Sequence, residues 1–88
     1  MEKLRYGQRI IIVVNSKLHD TGIITHTEIK DDAPMIHVRS DALKGEVVAF
    51  RFREEDEGWR HSFPDPFHGP GNPRYNERSF VYQIEAIN

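Results

Sequence analysis

The 88-residue chain contains no cysteine, which excludes a disulfide framework and any thiolate-held zinc. Small secreted domains usually rely on such staples, so a reducing, cytoplasmic setting is the simplest expectation. Long apolar runs are missing as well. The longest is Ile10 to Val14, far short of the roughly 20 residues that cross a bilayer, and Met1-Glu2-Lys3-Leu4-Arg5 lacks the apolar stretch of a secretory signal. No membrane partner is expected. Nor is there a large excess of one charge, since twelve Lys and Arg stand against fourteen Asp and Glu for a net charge of −2. A protein that works by blanketing nucleic acid with positive charge would look different. The imbalance is local. Residues 1–53 hold nine basic against seven acidic side chains, and residues 54–88 hold three against seven, so a basic face can exist within an acidic total.

What is present is β-forming sequence. At this length one core is all the chain can build. Gly7-Gln8-Arg9-Ile10-Ile11-Ile12-Val13-Val14-Asn15 carries five consecutive β-branched residues, which pack well on a pleated sheet and are costly in a short helix; a strand covered on both faces is expected. Asn15, Ser16, Asp20 and Gly22 supply turn chemistry before a second strand over residues 23–29. Met35-Ile36-His37-Val38-Arg39 alternates with period two, and residues 40–45 read as one helical turn or an open loop. The cleanest alternation sets Val48, Phe50 and Phe52 on one face and Ala49, Arg51 and Arg53 on the other. An acidic run ending in Gly58 then turns the chain into Trp59-Arg60-His61-Ser62-Phe63, a hairpin. Pro64, Pro66, Gly69, Pro70, Gly71 and Pro73 predict a long irregular loop. A last strand follows, with Phe80, Tyr82, Ile84 and Ala86 on one face. Five or six antiparallel strands around one core favour a mainly β domain curled into a small barrel, which removes unpaired edges.

The order of these segments resembles an SH3-like barrel of the KOW or Tudor kind. The resemblance rests on residues 7–12 as opening strand, on Asp20-Thr21-Gly22-Ile23-Ile24 as a turn with a glycine before the second strand, and on Gly58-Trp59-Arg60-His61-Ser62-Phe63. It spans about two-thirds of the chain, and the Pro/Gly segment departs from the usual compact pattern. Such barrels mostly bind RNA, ribosomal or polymerase surfaces, or peptides, so the resemblance implies a non-enzymatic module. A small acidic barrel also resembles accessory proteins of bacteria or their viruses that attach to a larger host machine. Fold alone does not dictate function.

Candidate chemistry is sparse. None of Ser16, Ser40, Ser62 and Ser79 sits in a Gly-x-Ser-x-Gly elbow, and Gly69-Pro70-Gly71 cannot cradle phosphate because proline lacks a donor N–H. Glu54, Glu55, Asp56 and Glu57 form a solvated run rather than an acid–base pair. Neither cofactor nor metal is expected. The rival is a small metal-dependent hydrolase or nuclease using His61, Asp65 and His68, although their spacing matches no standard site.

The basic constellation is more informative. If the third and fourth strands pair, His37, Arg39, Arg51 and Arg53 project from the non-core face, and Arg60 can join them. Arginine forks suit phosphate or carboxylate, so this patch would grip RNA or a protein partner; the plainer reading pairs the same arginines with Glu46, Glu54, Glu55 or Glu85. Trp59, Phe63, Phe67, Tyr75 and Tyr82 fall near the hairpin or the loop, and two or three of them exposed together, Trp59, Phe67 and Tyr75 foremost, would stack against a partner, the plainer reading being that they are core. The expected assembly is a monomer or weak homo-oligomer, with strand-mediated self-association as a third option.

Overall fold

A computed structural model of the chain describes residues 4–62 and 81–87. Six strands are present: β1 (Arg9–Val14), β2 (Lys17–Lys30), β3 (Ala33–Ser40), β4 (Val47–Arg53), β5 (Gly58–His61) and β6 (Gln83–Ala86). They form one antiparallel sheet in the order β5-β4-β3-β2-β1-β6. The mainly β expectation holds, and among the described residues the only helical segment is a 3-10 turn, Glu54–Asp56. No helix among them is long and apolar enough to cross a membrane. The expected Pro/Gly loop lies outside the described residues.

Short loops set the register of the hairpins. Asn15 and Ser16 connect β1 to β2, and Asp31 and Asp32 connect β2 to β3, each with positive φ between 52° and 64°. Two-residue hairpins need this backbone, and asparagine and aspartate tolerate it better than most side chains. Pro34 pairs with Ile29 at the tip of the second hairpin, whereas β4 pairs with β3 only as far as Met35. It therefore sits where β3 has one neighbour, an edge-like setting that accommodates a missing N–H.

The second strand is longer than the sequence suggested. Asp20 and Gly22, read there as turn residues, lie within β2 opposite Ile12 and Ile10. Each has a tertiary reason to be there. The buried Asp20 carboxylate accepts hydrogen bonds from Thr21 N (2.7 Å), Ala42 N (2.9 Å) and the Ser40 hydroxyl. Gly22 faces β3 so closely that a Cβ atom would collide with the Arg39 carbonyl oxygen and stand 2.6 Å from Val38 Cγ1. Residues 41–45 form hydrogen-bonded turns, closed by Gly45 N to Ser40 O (2.8 Å) and Lys44 N to Asp41 O (3.2 Å).

Two register shifts bend β2. Against β1 the pairing steps from Ile12↔Asp20 to Val13↔Leu18, leaving His19 extra; against β3 it steps from Ile24↔Val38 to His26↔His37, leaving Thr25 extra. Such bulges add twist and re-aim the side chains that follow. The concave side carries the core, where Ile10 and Ile12 of β1, Ile24 of β2, Val38 of β3 and Phe50 of β4 are all fully buried. Phe50 packs against Tyr82 and His61, with ring centroids 5.4 and 4.5 Å away. The other face of β1 is less covered than its sequence predicts, for Ile11 and Val13 are only half-buried.

The two terminal strands meet at one point. Trp59 of β5 and Tyr82, just before β6, form an isolated antiparallel bridge with N–H to O distances of 2.8 and 2.7 Å. Gly58 makes that approach possible, because a Cβ there would stand 2.5 Å from Val81 Cγ1 and 3.1 Å from Tyr82 O. Beyond the bridge the ladder does not continue as named strands, so the six-stranded sheet is not continuously closed.

Candidate functional site

Directly paired residues of an antiparallel sheet share a face, so the register shows which side chains come together. On the convex face three rows cross the strands: Arg9–Ile23–Arg39–Val47, His26–His37–Ala49, and Glu28–Met35–Arg51–Arg60. Arg53, opposite Gly58, lies two residues beyond Arg51 on the same face. The five positively charged or ionisable residues expected together, His37, Arg39, Arg51, Arg53 and Arg60, therefore do share one surface. Arg9, a residue that the sequence did not single out, joins them through its pairing with Ile23.

Carboxylates occupy one end of this surface. Arg53 pairs with Glu55 at 2.8 Å and approaches Asp56 at 3.7 Å, while the Arg60 Nε donates to Asp56 at 2.6 Å. The bond from Arg60 holds the Asp56 carboxyl below the usual carboxylate range, and the same bond raises the Arg60 guanidinium. Glu55 is also lowered, first by a backbone hydrogen bond and then by Arg53. Local ion pairing, the plainer reading of these arginines, thus accounts for Arg53 and Arg60, with Asp56 as an unforeseen partner. Farther along, Arg51 reaches Asp31 only at 3.9 Å, and Arg9 reaches Asp41 at 3.4 Å. Arg39 is exposed and has no ion-pair partner among the described residues.

A groove of about 410 Å³ borders the face, lined by Asp32, Pro34, Arg51, Phe52, Arg53 and Glu55 among others. It runs between the β2–β3 turn and β4 and offers both charge signs beside an apolar floor.

The aromatic candidates separate from the arginines. Trp59 is only 6% exposed and belongs to the core, its ring 5.3 Å from that of Phe52. Alternation along β5 explains this, since Arg60 faces outward and its neighbour must face inward. Phe67 and Tyr75 lie outside the described residues, as do Asp65 and His68 of the alternative metal set. His61 is on the core side, against Phe50 and Tyr82 at 4.5 and 4.7 Å.

Sequence reasoning missed a second constellation on the convex face. His26 Nε2 lies 3.0 Å from Glu28 Oε2, and the His26 and His37 ring centroids are 5.1 Å apart at 79°. The donor atoms of His26, Glu28 and His37 all fall within 4.8 Å of one another. Among the described residues this is the group whose donors converge enough to hold a metal ion. A His-x-Glu pair on a strand was visible in the sequence, but the residue bringing it opposite His37 is Thr25, and its bulge was not. Neither the family models, nor the curated proteins, nor the solved structures compared with this chain give a match.

Proposed function

We propose that the protein is a non-catalytic docking module, folded as an SH3-like small barrel, whose convex face grips a protein partner through His37, Arg39 and Arg51. The bent β2 and the Trp59–Tyr82 bridge support the barrel reading, because both draw the ends of the sheet toward each other. One observation carries the functional reading: Arg39, near the middle of the cationic face, has no carboxylate partner among the described residues. An unpaired guanidinium flanked by half-engaged ones keeps its hydrogen-bonding fork for another molecule.

Charge favours protein over RNA as that molecule. The Glu54–Glu57 run stands beside Arg53 and Arg60 and would repel a phosphate backbone tracking along the face, whereas a protein segment carrying carboxylates near Arg39 and Arg51 and basic groups near the acidic end would match both signs. The mixed-charge groove beside Arg51 fits the same partner.

Affinity capture from a native lysate checks this. Immobilised protein should retain a partner at low salt, release it as salt rises, and lose it when Arg39→Glu and Arg51→Glu are combined, with nuclease treatment making no difference. Nuclease-sensitive capture would instead identify RNA as the partner. An unchanged set of captured proteins after the charge reversal would reject the convex face.

A further inference from the structure

We propose that His26, Glu28 and His37 form a binding site for a zinc-class divalent metal ion, a function beyond the docking described above, with which it shares His37. The chemistry of the donors selects the metal. Two imidazole nitrogens and one carboxylate oxygen suit zinc and its neighbours, whereas magnesium and calcium prefer oxygen donors throughout. Three protein ligands also leave at least one coordination position for water or for an oxygen donor from another molecule.

The geometry is close to what such an ion needs. With ligand bonds near 2.1 Å, tetrahedral donors stand about 3.4 Å apart. His26 Nε2 and Glu28 Oε2 are already at 3.0 Å, and no donor in the group is more than 4.8 Å from another. His26 and Glu28 are exposed and His37 is half-buried, so small side-chain rotations can close the remaining distance without moving the core. The backbone spacing comes from the sheet itself, where His26 and Glu28 are two residues apart on β2 and His37 is the direct partner of His26 on β3.

The ordinary alternative is a surface hydrogen bond between His26 and Glu28 beside an unrelated histidine. Against it stands the bulge. With a regular ladder after Ile24↔Val38, Thr25 would oppose His37 and His26 would oppose Ile36 on the core face. The extra residue turns both His26 and Glu28 to the convex side, and the Thr25 hydroxyl donates to the His37 carbonyl at 3.4 Å across the irregularity. Bulges cluster beside functional sites because they re-aim side chains in this way.

Calorimetric titration of tag-free, metal-stripped protein with zinc chloride tests the proposal, with nitrogen-edited NMR of the imidazoles to locate the ion. One zinc per chain is expected, with the ring nitrogens of His26 and His37 shifting together. Because outer partners of metal ligands already cost about 10–100-fold when changed, His26→Ala and His37→Ala should each weaken zinc binding by about 100-fold or more. Glu28→Gln should weaken it as well. The three positions lie off the main core, so circular dichroism should show all variants folded; should an alanine variant fail to fold, the imidazole shifts of the unmodified protein decide the question alone. Absence of zinc binding, shifts confined to His19, His61 or His68, or affinity unchanged in the folded variants would each overturn it. None of these readings depends on the docking partner, so either proposal can fail without the other.

Discussion

Gly22→Ala is expected to lose about 3 kcal/mol of stability, at the upper end of what overpacking a tight interior costs. A methyl group at this position would collide with the Arg39 carbonyl oxygen and meet Val38 Cγ1 at 2.6 Å. The carbonyl is backbone held in the β2–β3 ladder and cannot rotate aside as a side chain would. Relief requires the two central strands to separate near Gly22↔Ser40, beneath the row that carries Arg39. For a domain of this size such a loss corresponds to a drop of about 15 °C in melting temperature. Thermal unfolding followed by circular dichroism measures it, and a variant melting within a few degrees of the parent would show that the close approach is not maintained.

Asp20→Ala should cost about 2–4 kcal/mol, because one buried carboxylate organises three donors and an unsatisfied buried group costs roughly 1–3 kcal/mol. Thr21 N, Ala42 N and the Ser40 hydroxyl all lose their acceptor. The Ser40 hydroxyl oxygen in turn accepts from Leu43 N at 3.1 Å, so the change reaches the connection between β3 and β4. Asp20→Asn keeps one carbonyl oxygen for Thr21 N and Ala42 N, both of which bond to Oδ1, and should therefore lose less. Chemical denaturation of the two variants gives the comparison. Equal losses, or a negligible loss in the alanine variant, would mean that water supplies the missing bonds.

These two residues also mark where the sequence stops being legible. Aspartate and glycine between apolar segments are strong turn signals taken locally, and here both sit inside the longest strand. The forces that place them there are tertiary: a carboxylate needed by a distant turn, and two backbones that approach within less than a side chain. Elements whose faces are set by strict alternation were readable without such information. Val48, Phe50 and Phe52 point to the core side as their spacing requires, although Phe52 is only half-buried, and Ile36 and Val38 are buried opposite His37 and Arg39. The shared arginine surface followed from those two strands alone.

Alternation fails wherever a bulge intervenes. Residues 23–29 counted in steps of two put His26 with Ile24 on the core side, which is why its convergence with His37 could not be seen. The aromatic half of the expected binding surface met a different obstacle. Trp59 has the composition of a stacking platform, but Arg60 is the outward residue of β5, and the Trp59 ring closes the core against Phe52 and bridges to Tyr82 through its backbone. Composition identified an aromatic near the site; only the strand's phase decided that it serves the interior.

The metal cluster has one structural requirement, that Thr25 be the extra residue on β2, so that His26 and Glu28 face the convex side beside His37. Nuclear Overhauser effects between the imidazole protons of His26 and those of His37 test this directly. Strong cross-peaks are expected between the two rings, whose centroids are 5.1 Å apart, and none from the His26 ring to the Ile36 methyl groups. Cross-peaks from His26 to Ile36 and Ile24, with His37 isolated from it, would place His26 in the core and contradict the account.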